Sequence, residues 1–151
     1  MKTIIIVLMG LTSIFSIGAI ACPDLSGEYA ACSFSSSRAL SKMSNVSIAQ
    51  ITKNGIATFL IGADIEGQKY RQAQILTANG VRESKTVHND DLGDITAWTS
   101  ASCTNNTLAV DTSDSFLGDV KGVVTYSING NKDLVIQWVL EGEGFVTFTC
   151  K

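Results

Sequence analysis

Residues 123–140, VVTYSINGNKDLVIQWVL, contain two runs of alternating apolar and polar residues on either side of Asn129-Gly130. Alternation with a period of two is typical of β-strands, and an Asn-Gly pair suits the positive φ angles of a tight hairpin turn. This stretch therefore predicts a β-hairpin with strands at 123–128 and 134–140.

The alternation also predicts which side chains point into the molecule. These inward-facing residues are Val124, Tyr126, Ile128, Leu134, Ile136, Trp138 and Leu140. The opposite face of the second strand, which contains Val135 and Val139, is not fully polar. We therefore expect a loop or a partner to cover part of this outer face.

The rest of the chain repeats this pattern, with a second Asn-Gly turn at Asn54-Gly55 and further turns expected at Asn79-Gly80 and Asn105-Asn106. We expect strands near 27–34, 45–53, 55–62, 68–77, 81–88, 94–104, 120–129, 133–141 and 144–150, with 107–112 left open. A meander exposes its edges unless it closes. The predicted fold is all-β, an antiparallel up-and-down β-barrel of about eight strands, with a two-sheet β-sandwich as the alternative.

One segment, SFSSSRALSKMSN at residues 33–45, departs from the strand pattern. It is rich in serine, and Arg38-Ala39-Leu40 favours a helix over a strand. We expect a loop with one helical turn that acts as a lid over one end of the barrel.

The N-terminus is typical of an exported protein. Residues 1–21 combine Lys2, an apolar run and the small residues of Ala19-Ile20-Ala21, which predicts a signal peptide and a single mature domain at 22–151. No second apolar run is long enough to span a membrane, so we expect no transmembrane span in the mature chain and a secreted or periplasmic protein.

Charge argues against a nucleic-acid partner. Without Lys2 the chain carries 10 Lys and Arg against 14 Asp and Glu, a formal charge of −4, and its sequence contains no basic cluster. Neutralising phosphates requires positive charge, so we expect no nucleic-acid binding.

Four cysteines, Cys22, Cys32, Cys103 and Cys150, form an even set in an exported chain, which predicts two disulfides. Their spacing does not suit a zinc site, so no metal is expected. Sequence alone allows three pairings, and we favour Cys22–Cys32 with Cys103–Cys150 because the first two are close in the chain. The alternative role for Cys22 is acylation as a lipid anchor, which would leave one thiol unpaired.

Two stretches resemble the calycin superfamily, which includes the lipocalins and avidins. Gly27-Glu28-Tyr29 matches the Gly-x-Trp opening of the first calycin strand with Tyr in place of Trp, and CPDLSGEY is similar to the avidin N-terminus. The hairpin at 129–140 resembles the avidin strand that carries a ligand-contacting Trp, which maps to Trp138. The resemblance implies a barrel and a position of Cys22 near Cys103. The residues that read biotin have no counterparts in AACSFSSS or GIATFLIG.

Four aromatic residues are the predicted ligand-binding set: Tyr29, Trp98, Tyr126 and Trp138. Barrel interiors hold apolar ligands against aromatic rings, which makes a small apolar or amphipathic ligand in the barrel mouth the leading hypothesis. The alternative is that these rings fill a packed core. The protein would then be a secreted or envelope interaction protein, or an inhibitor, that acts on a protein partner through its loops.

The sequence does not predict an enzyme or a cofactor. His88 is the only histidine, and Asp90, Asp91 and Asp94 follow it in what we interpret as a solvated turn. The serines of SSSR at 35–38 have no nearby base. Asn45-Val46-Ser47 and Asn105-Asn106-Thr107 match the glycosylation sequon.

Overall fold

A computed structural model describes residues 21–36, 42–65, 68–69, 74–89, 93–104, 106–114, 121–142 and 144–151. Residues 1–20 of the predicted signal peptide at 1–21, and residues 37–41 of the predicted lid, lie outside these ranges. Within them the chain forms eleven strands: β1 (Gly27–Ser36), β2 (Met43–Lys53), β3 (Ile56–Ile65), β4 (Gln68–Lys69), β5 (Gln74–Thr77), β6 (Glu83–Asn89), β7 (Gly93–Thr104), β8 (Thr107–Asp114), β9 (Gly122–Ile128), β10 (Leu134–Leu140) and β11 (Gly144–Cys150).

All strands pair antiparallel in a single curled sheet, in the order β4-β3-β2-β1-β11-β10-β9-β8-β7-β6, with β5 also paired to β3. The predicted all-β, up-and-down meander barrel is confirmed. The segment at 107–112, which the sequence leaves undecided, belongs to strand β8. The single strand expected at 68–77 is divided into β4 and β5. The predicted 33–45 loop is wrong at both ends, because β1 continues to Ser36 and β2 begins at Met43.

The sheet curls because two segments each bridge its two halves. The first half of β1 pairs with β2, and its second half pairs with β11. In the same way, β5 pairs with β3, and the chain then turns at Gly80 (φ +71°). The backbone N–H of Gly80 donates to the Ala101 carbonyl of β7 at 2.8 Å. The first and last strands therefore meet in the middle of the strand order, and the Gly80 contact brings the β3–β5 side of the sheet against β7.

The two Asn-Gly dipeptides form different turns. Asn54 and Gly55 both have positive φ, as the predicted two-residue hairpin requires. At Asn129-Gly130 the expected geometry is wrong, since the residue with positive φ is Lys132 (+66°). There the Asn129 side chain accepts the backbone N–H groups of Asn131 and Asp133 at 2.9 Å, which stabilises the loop at 129–133.

The core lies on the concave face of the sheet and has the predicted alternation. Tyr126 pairs with Ile136, and Ile128 pairs with Leu134. The buried residues of the core are Leu25, Tyr29, Val46, Ile48, Ala57, Phe59, Ile61, Leu76, Ala101, Leu108, Val110, Tyr126, Leu134, Ile136, Val146, Phe148 and Cys150. Burial of these apolar side chains is the main source of stability.

Two disulfides join distant parts of the chain, Cys22 to Cys103 and Cys32 to Cys150. The participation of all four cysteines is confirmed, but the pairing that we favoured is wrong. Antiparallel register places Cys32 directly opposite Cys150, and strand pairing overrides closeness in sequence. The position of Cys22 beside Cys103 agrees with the calycin resemblance. Two internal disulfides indicate an oxidising compartment outside the cytoplasm.

Candidate ligand-binding groove on the outer face

A groove of about 590 Å³ lies on the convex face of the sheet, across β7, β8, β9 and β10. Most of the groove residues on these strands, such as Trp98 and Asp111, alternate with the buried core and face outward, because successive strand side chains point to opposite sides. Thr99, Thr112 and Gly122 share the parity of the core and lie where the groove meets the barrel mouth. The groove is lined by Arg82, Trp98, Thr99, Ser100, Asp111, Thr112, Ser113, Lys121, Gly122, Val123, Val139 and Glu141. We call this set the outer groove. Its volume is in the range typical of small-molecule sites.

At one end of the outer groove, Arg82 is held over an aromatic ring. Its guanidinium carbon lies 5.4 Å from the centroid of the Trp98 ring, a cation–π geometry. Its Nη2 donates to Ser113 Oγ at 3.2 Å. Trp98 and Ser113 are direct cross-strand partners on β7 and β8, so the sheet register itself positions both contacts.

The next row along the strands combines polar and apolar groups. Ser100 donates to Asp111 Oδ2 at 3.5 Å, again between paired residues of β7 and β8. Asp111 pairs with Val123, which in turn pairs with Val139. The two valines are 38% and 45% exposed, so they present an apolar strip beside the carboxylate.

The far end of the outer groove carries charges of both signs. The backbone N–H of Glu141 donates to the Lys121 carbonyl at 3.0 Å, which places these two exposed residues opposite each other after β10 and before β9. The outer groove therefore has a cation at the Trp98 end, an apolar middle next to Asp111, and a mixed far end.

Two of the four predicted ligand residues are in the core. Tyr29 is buried, and its hydroxyl donates to the Leu25 carbonyl at 3.2 Å. Burial, together with the charge of Asp24, raises the pKa of Tyr29. Its ring lies over Gly27, where an added Cβ would be 3.0 Å from the ring, so the Gly-x-Tyr motif is a packing unit. Burial raises the pKa of Tyr126 to about 12.

The two tryptophans lie on opposite faces of the sheet. Trp138 follows the inward alternation, yet it is 40% exposed because it lies near the end of β10. Its Nε1 lies 3.1 Å from the position of an added Cβ at Gly122, so close packing in the barrel mouth depends on this glycine. Trp98 faces outward into the outer groove. The structure therefore does not bring the four aromatic residues into one site.

The only histidine forms a cross-strand pair rather than part of a buried site. His88 Nδ1 lies 2.7 Å from Asp94 Oδ1 at the end of the β6–β7 hairpin, where both side chains are 71% exposed. Asp90 and Asp91 lie outside the described residues. Within the described part of the chain, no group of three or more His, Cys, Asp or Glu residues could hold a metal ion.

Sequence reasoning missed most of the outer groove. Arg82 comes just before a strand, and nothing in the local sequence connects it to Trp98 or Ser113. The sequence feature that pointed to the outer groove was the apolar character of the outward face of β10, which includes Val139. That face was expected to be covered, but its neighbours on β7, β8 and β9 depend on the strand order.

Comparison with known proteins does not identify a family. No family model matches the chain, and no curated protein matches it. Among the described residues, no helix has the length and apolar character needed to cross a membrane. Function is therefore inferred from the outer groove.

Proposed function

We propose that this is an exported, non-catalytic binding protein that holds a small amphipathic ligand in the outer groove. The observation that carries the proposal is the combination of an apolar strip, Val123 and Val139, with an Arg82 guanidinium held between Trp98 and Ser113. Ligand sites commonly combine apolar walls with a few oriented polar groups.

The position of Arg82 supports binding because the side chain is already ordered. The cation–π contact with Trp98 and the hydrogen bond to Ser113 restrict its rotamers before a ligand arrives. Long flexible side chains otherwise lose considerable conformational entropy on binding. A restricted arginine is therefore a better ligand-binding group than a free one.

This proposal keeps the small amphipathic ligand of the sequence-based hypothesis and moves it from the barrel mouth to the outside. Tyr29 and Tyr126 are buried in the concave core, which leaves Trp98 as the predicted ring that lines the outer groove. The calycin resemblance supports a barrel scaffold in this proposal and does not supply the ligand position.

Export is part of the proposal. Residues 1–21 have the features of a signal peptide, and Cys22 would become the first mature residue. Its sulfur is bonded to Cys103, and acylation would require the same sulfur atom. We therefore favour a secreted or periplasmic protein over one anchored to a membrane through Cys22.

The proposed ligand site is tested with the amphipathic dye anilinonaphthalene sulfonate and a charge placed in the apolar strip. We expect Val139→Asp to weaken dye binding at least tenfold, because it places a carboxylate in the apolar strip, against the apolar rings and the sulfonate of the dye. Val135→Asp is the matched control on the outer face of the same strand, and it should bind like the wild type. Equal binding by all three proteins would reject the outer groove as the site.

A second candidate, interaction with another protein, is favoured by a separate exposed apolar surface. Leu60 pairs with Ile75 on the outward face of β3 and β5, and Ile51 is exposed on the adjoining β2. Exposed apolar patches of this kind mark interaction sites. Ile75→Asp should abolish capture of an extracytoplasmic partner if this surface is used, whereas Val139→Asp should not.

A further inference from the structure

The charges of the outer groove are arranged along its length. The Arg82 guanidinium contacts Trp98 on β7 and Ser113 on β8, Asp111 lies on β8 in the neighbouring cross-strand row, and Glu141 lies with Lys121 just beyond β10 and β9. Strands in a sheet are spaced by about 4.8 Å, so β7 and β10 are about 14 Å apart. An elongated ligand that lies across the strands from Arg82 would pass beside Asp111 and Lys121 and end near Glu141.

Arg82 is suited to an anionic end of such a ligand. Its guanidinium has five N–H donors in a planar fork, and Ser113 accepts one hydrogen bond from it. The Trp98 ring lies against the same guanidinium, with its centroid 5.4 Å from the guanidinium carbon. A carboxylate is the ligand group that matches a planar arginine fork with two parallel hydrogen bonds.

The two acidic residues determine what the rest of the ligand must provide. Asp111 and Glu141 only accept hydrogen bonds when ionised, so a bound ligand must supply donors or leave them desolvated. A saturated acyl chain has no donors. A peptide has backbone N–H groups for Asp111, and a free amine for Glu141.

The apolar strip selects among ligands that do carry donors. Val123 and Val139 are branched aliphatic side chains, which pack well against another aliphatic side chain. One face of the Trp98 ring is occupied by Arg82, which reduces the flat aromatic surface that a sugar ring would use. These contacts favour an apolar peptide over a glycan.

We propose that the outer groove binds short apolar peptides through their free C-terminal carboxylate, which is held by Arg82. This inference rests on the proposed function and names its ligand class. An extended chain advances about 3.3 Å per residue, so about four residues span the distance from β7 to β10. The N-terminal amine then lies near Glu141, where Lys121 offsets part of the attraction.

The test measures binding of the tetrapeptide Ala-Ser-Val-Leu by titration calorimetry, with free ends, with a C-terminal amide, or with an N-terminal acetyl group. We expect amidation to weaken binding at least tenfold, because it removes a charge-assisted hydrogen-bonded pair. N-terminal acetylation should weaken binding less than amidation does. Lys121 repels the free amine, so the amine contributes less to affinity than the carboxylate does. Arg82→Gln should bind the free acid and the amide equally.

Lys85→Gln is the matched control, because it removes one positive charge from β6 outside the outer groove. It should retain the preference for the free acid, and circular dichroism should show that both variants are folded. A preserved preference in Arg82→Gln would overturn the role of Arg82. An acetylated peptide that binds as tightly as the free one would support Arg82 and indicate the C-terminal tail of a longer chain as the ligand.

Failure of this inference is distinguishable from failure of the proposed function. Equal wild-type affinity for the free acid and the amide, or no binding of either, overturns the peptide assignment. If anilinonaphthalene sulfonate still binds and Val139→Asp still blocks it, the outer groove remains a ligand site. If the dye is also insensitive to Val139→Asp, both proposals are rejected.

Discussion

The concave and convex faces of β7–β10 are built from alternating residues of the same strands, yet they differ in every respect that matters for function. The concave face presents Ala101, Val110 and Ile136, which are buried against the opposite side of the barrel. The convex face presents the outer groove, with exposed valines beside ionised groups. One strand therefore contributes to stability with one set of residues and to the proposed ligand site with the next.

Under the proposed function, the scaffold of this small barrel is separate from its ligand site. The interior of a small barrel is filled by its own side chains, and here Tyr29 and Tyr126 are among them. Substitutions on the two faces should consequently affect different measurements. Concave-face changes should lower stability, and convex-face changes should lower affinity.

The largest expected effect comes from the disulfide that closes the N-terminus onto β7. Replacing Cys22 and Cys103 together with serine should lower the free energy of unfolding by about 4 kcal/mol, because the bridged residues are 81 positions apart and the unfolded chain regains that freedom. Urea denaturation measures the loss. Dye binding at the outer groove should be unchanged in the folded variant, and a parallel loss of binding would contradict the separation of the two faces.

A pair of substitutions on one strand compares the faces directly. Ile136→Ala should cost about 3 kcal/mol because it leaves a cavity in the core, whereas Val139→Ala should cost less than about 0.5 kcal/mol. Urea denaturation of both variants checks this difference. Equal losses of unfolding free energy in the two variants would mean that side chains on the convex face of β10 also stabilise the fold.

Alkaline pH tests the burial of Tyr126. Its pKa is raised to about 12 in the folded protein, so the unfolded chain loses that proton first and stability falls between pH 10 and pH 12. By pH 11 the loss attributable to this residue is about 1.4 kcal/mol. We compare the free energy of unfolding at pH 9 and pH 11 by urea denaturation, and Tyr126→Phe should lose less stability over this range than the wild type. Equal losses in the two proteins would mean that the Tyr126 hydroxyl is exposed to solvent.

An effect of similar size concerns the glycine beside Trp138. An added Cβ at Gly122 would lie 2.9 Å from Thr112 Oγ1, so Gly122→Ala should cost about 1–2 kcal/mol and shift the Trp138 fluorescence. Gly130→Ala is the control, since no atom lies within 4 Å of its added Cβ. A neutral Gly122→Ala would show that the barrel mouth adjusts without strain.

Turns and strand faces are predicted correctly where residues adjacent in the sequence determine them. The Asn54-Gly55 hairpin follows from backbone preferences of two adjacent residues, and the inward set around Tyr126 follows from the two-residue period of a strand. The Asn129 turn was misread because its geometry depends on side-chain hydrogen bonds to Asn131 and Asp133, which an Asn-Gly dipeptide alone does not reveal.

Contacts between residues that are far apart in the sequence cannot be predicted from such local patterns. The pairing of Cys32 with Cys150 depends on the first strand meeting the last, and the contact of Arg82 with Trp98 depends on the register between the chain before β6 and the strand after it. Neither register leaves a signal in local periodicity, because alternation defines faces without defining neighbours.

The amino-acid pattern of this chain is sufficient for an all-β meander, its principal hairpin and four paired cysteines, because these follow from strand period, turn chemistry and thiol parity. The disulfide partners, the separation of Trp98 from Trp138 and the outer groove arise only when the sheet curls. Curling brings residues together that are far apart in sequence, and their contacts depend on strand order and register.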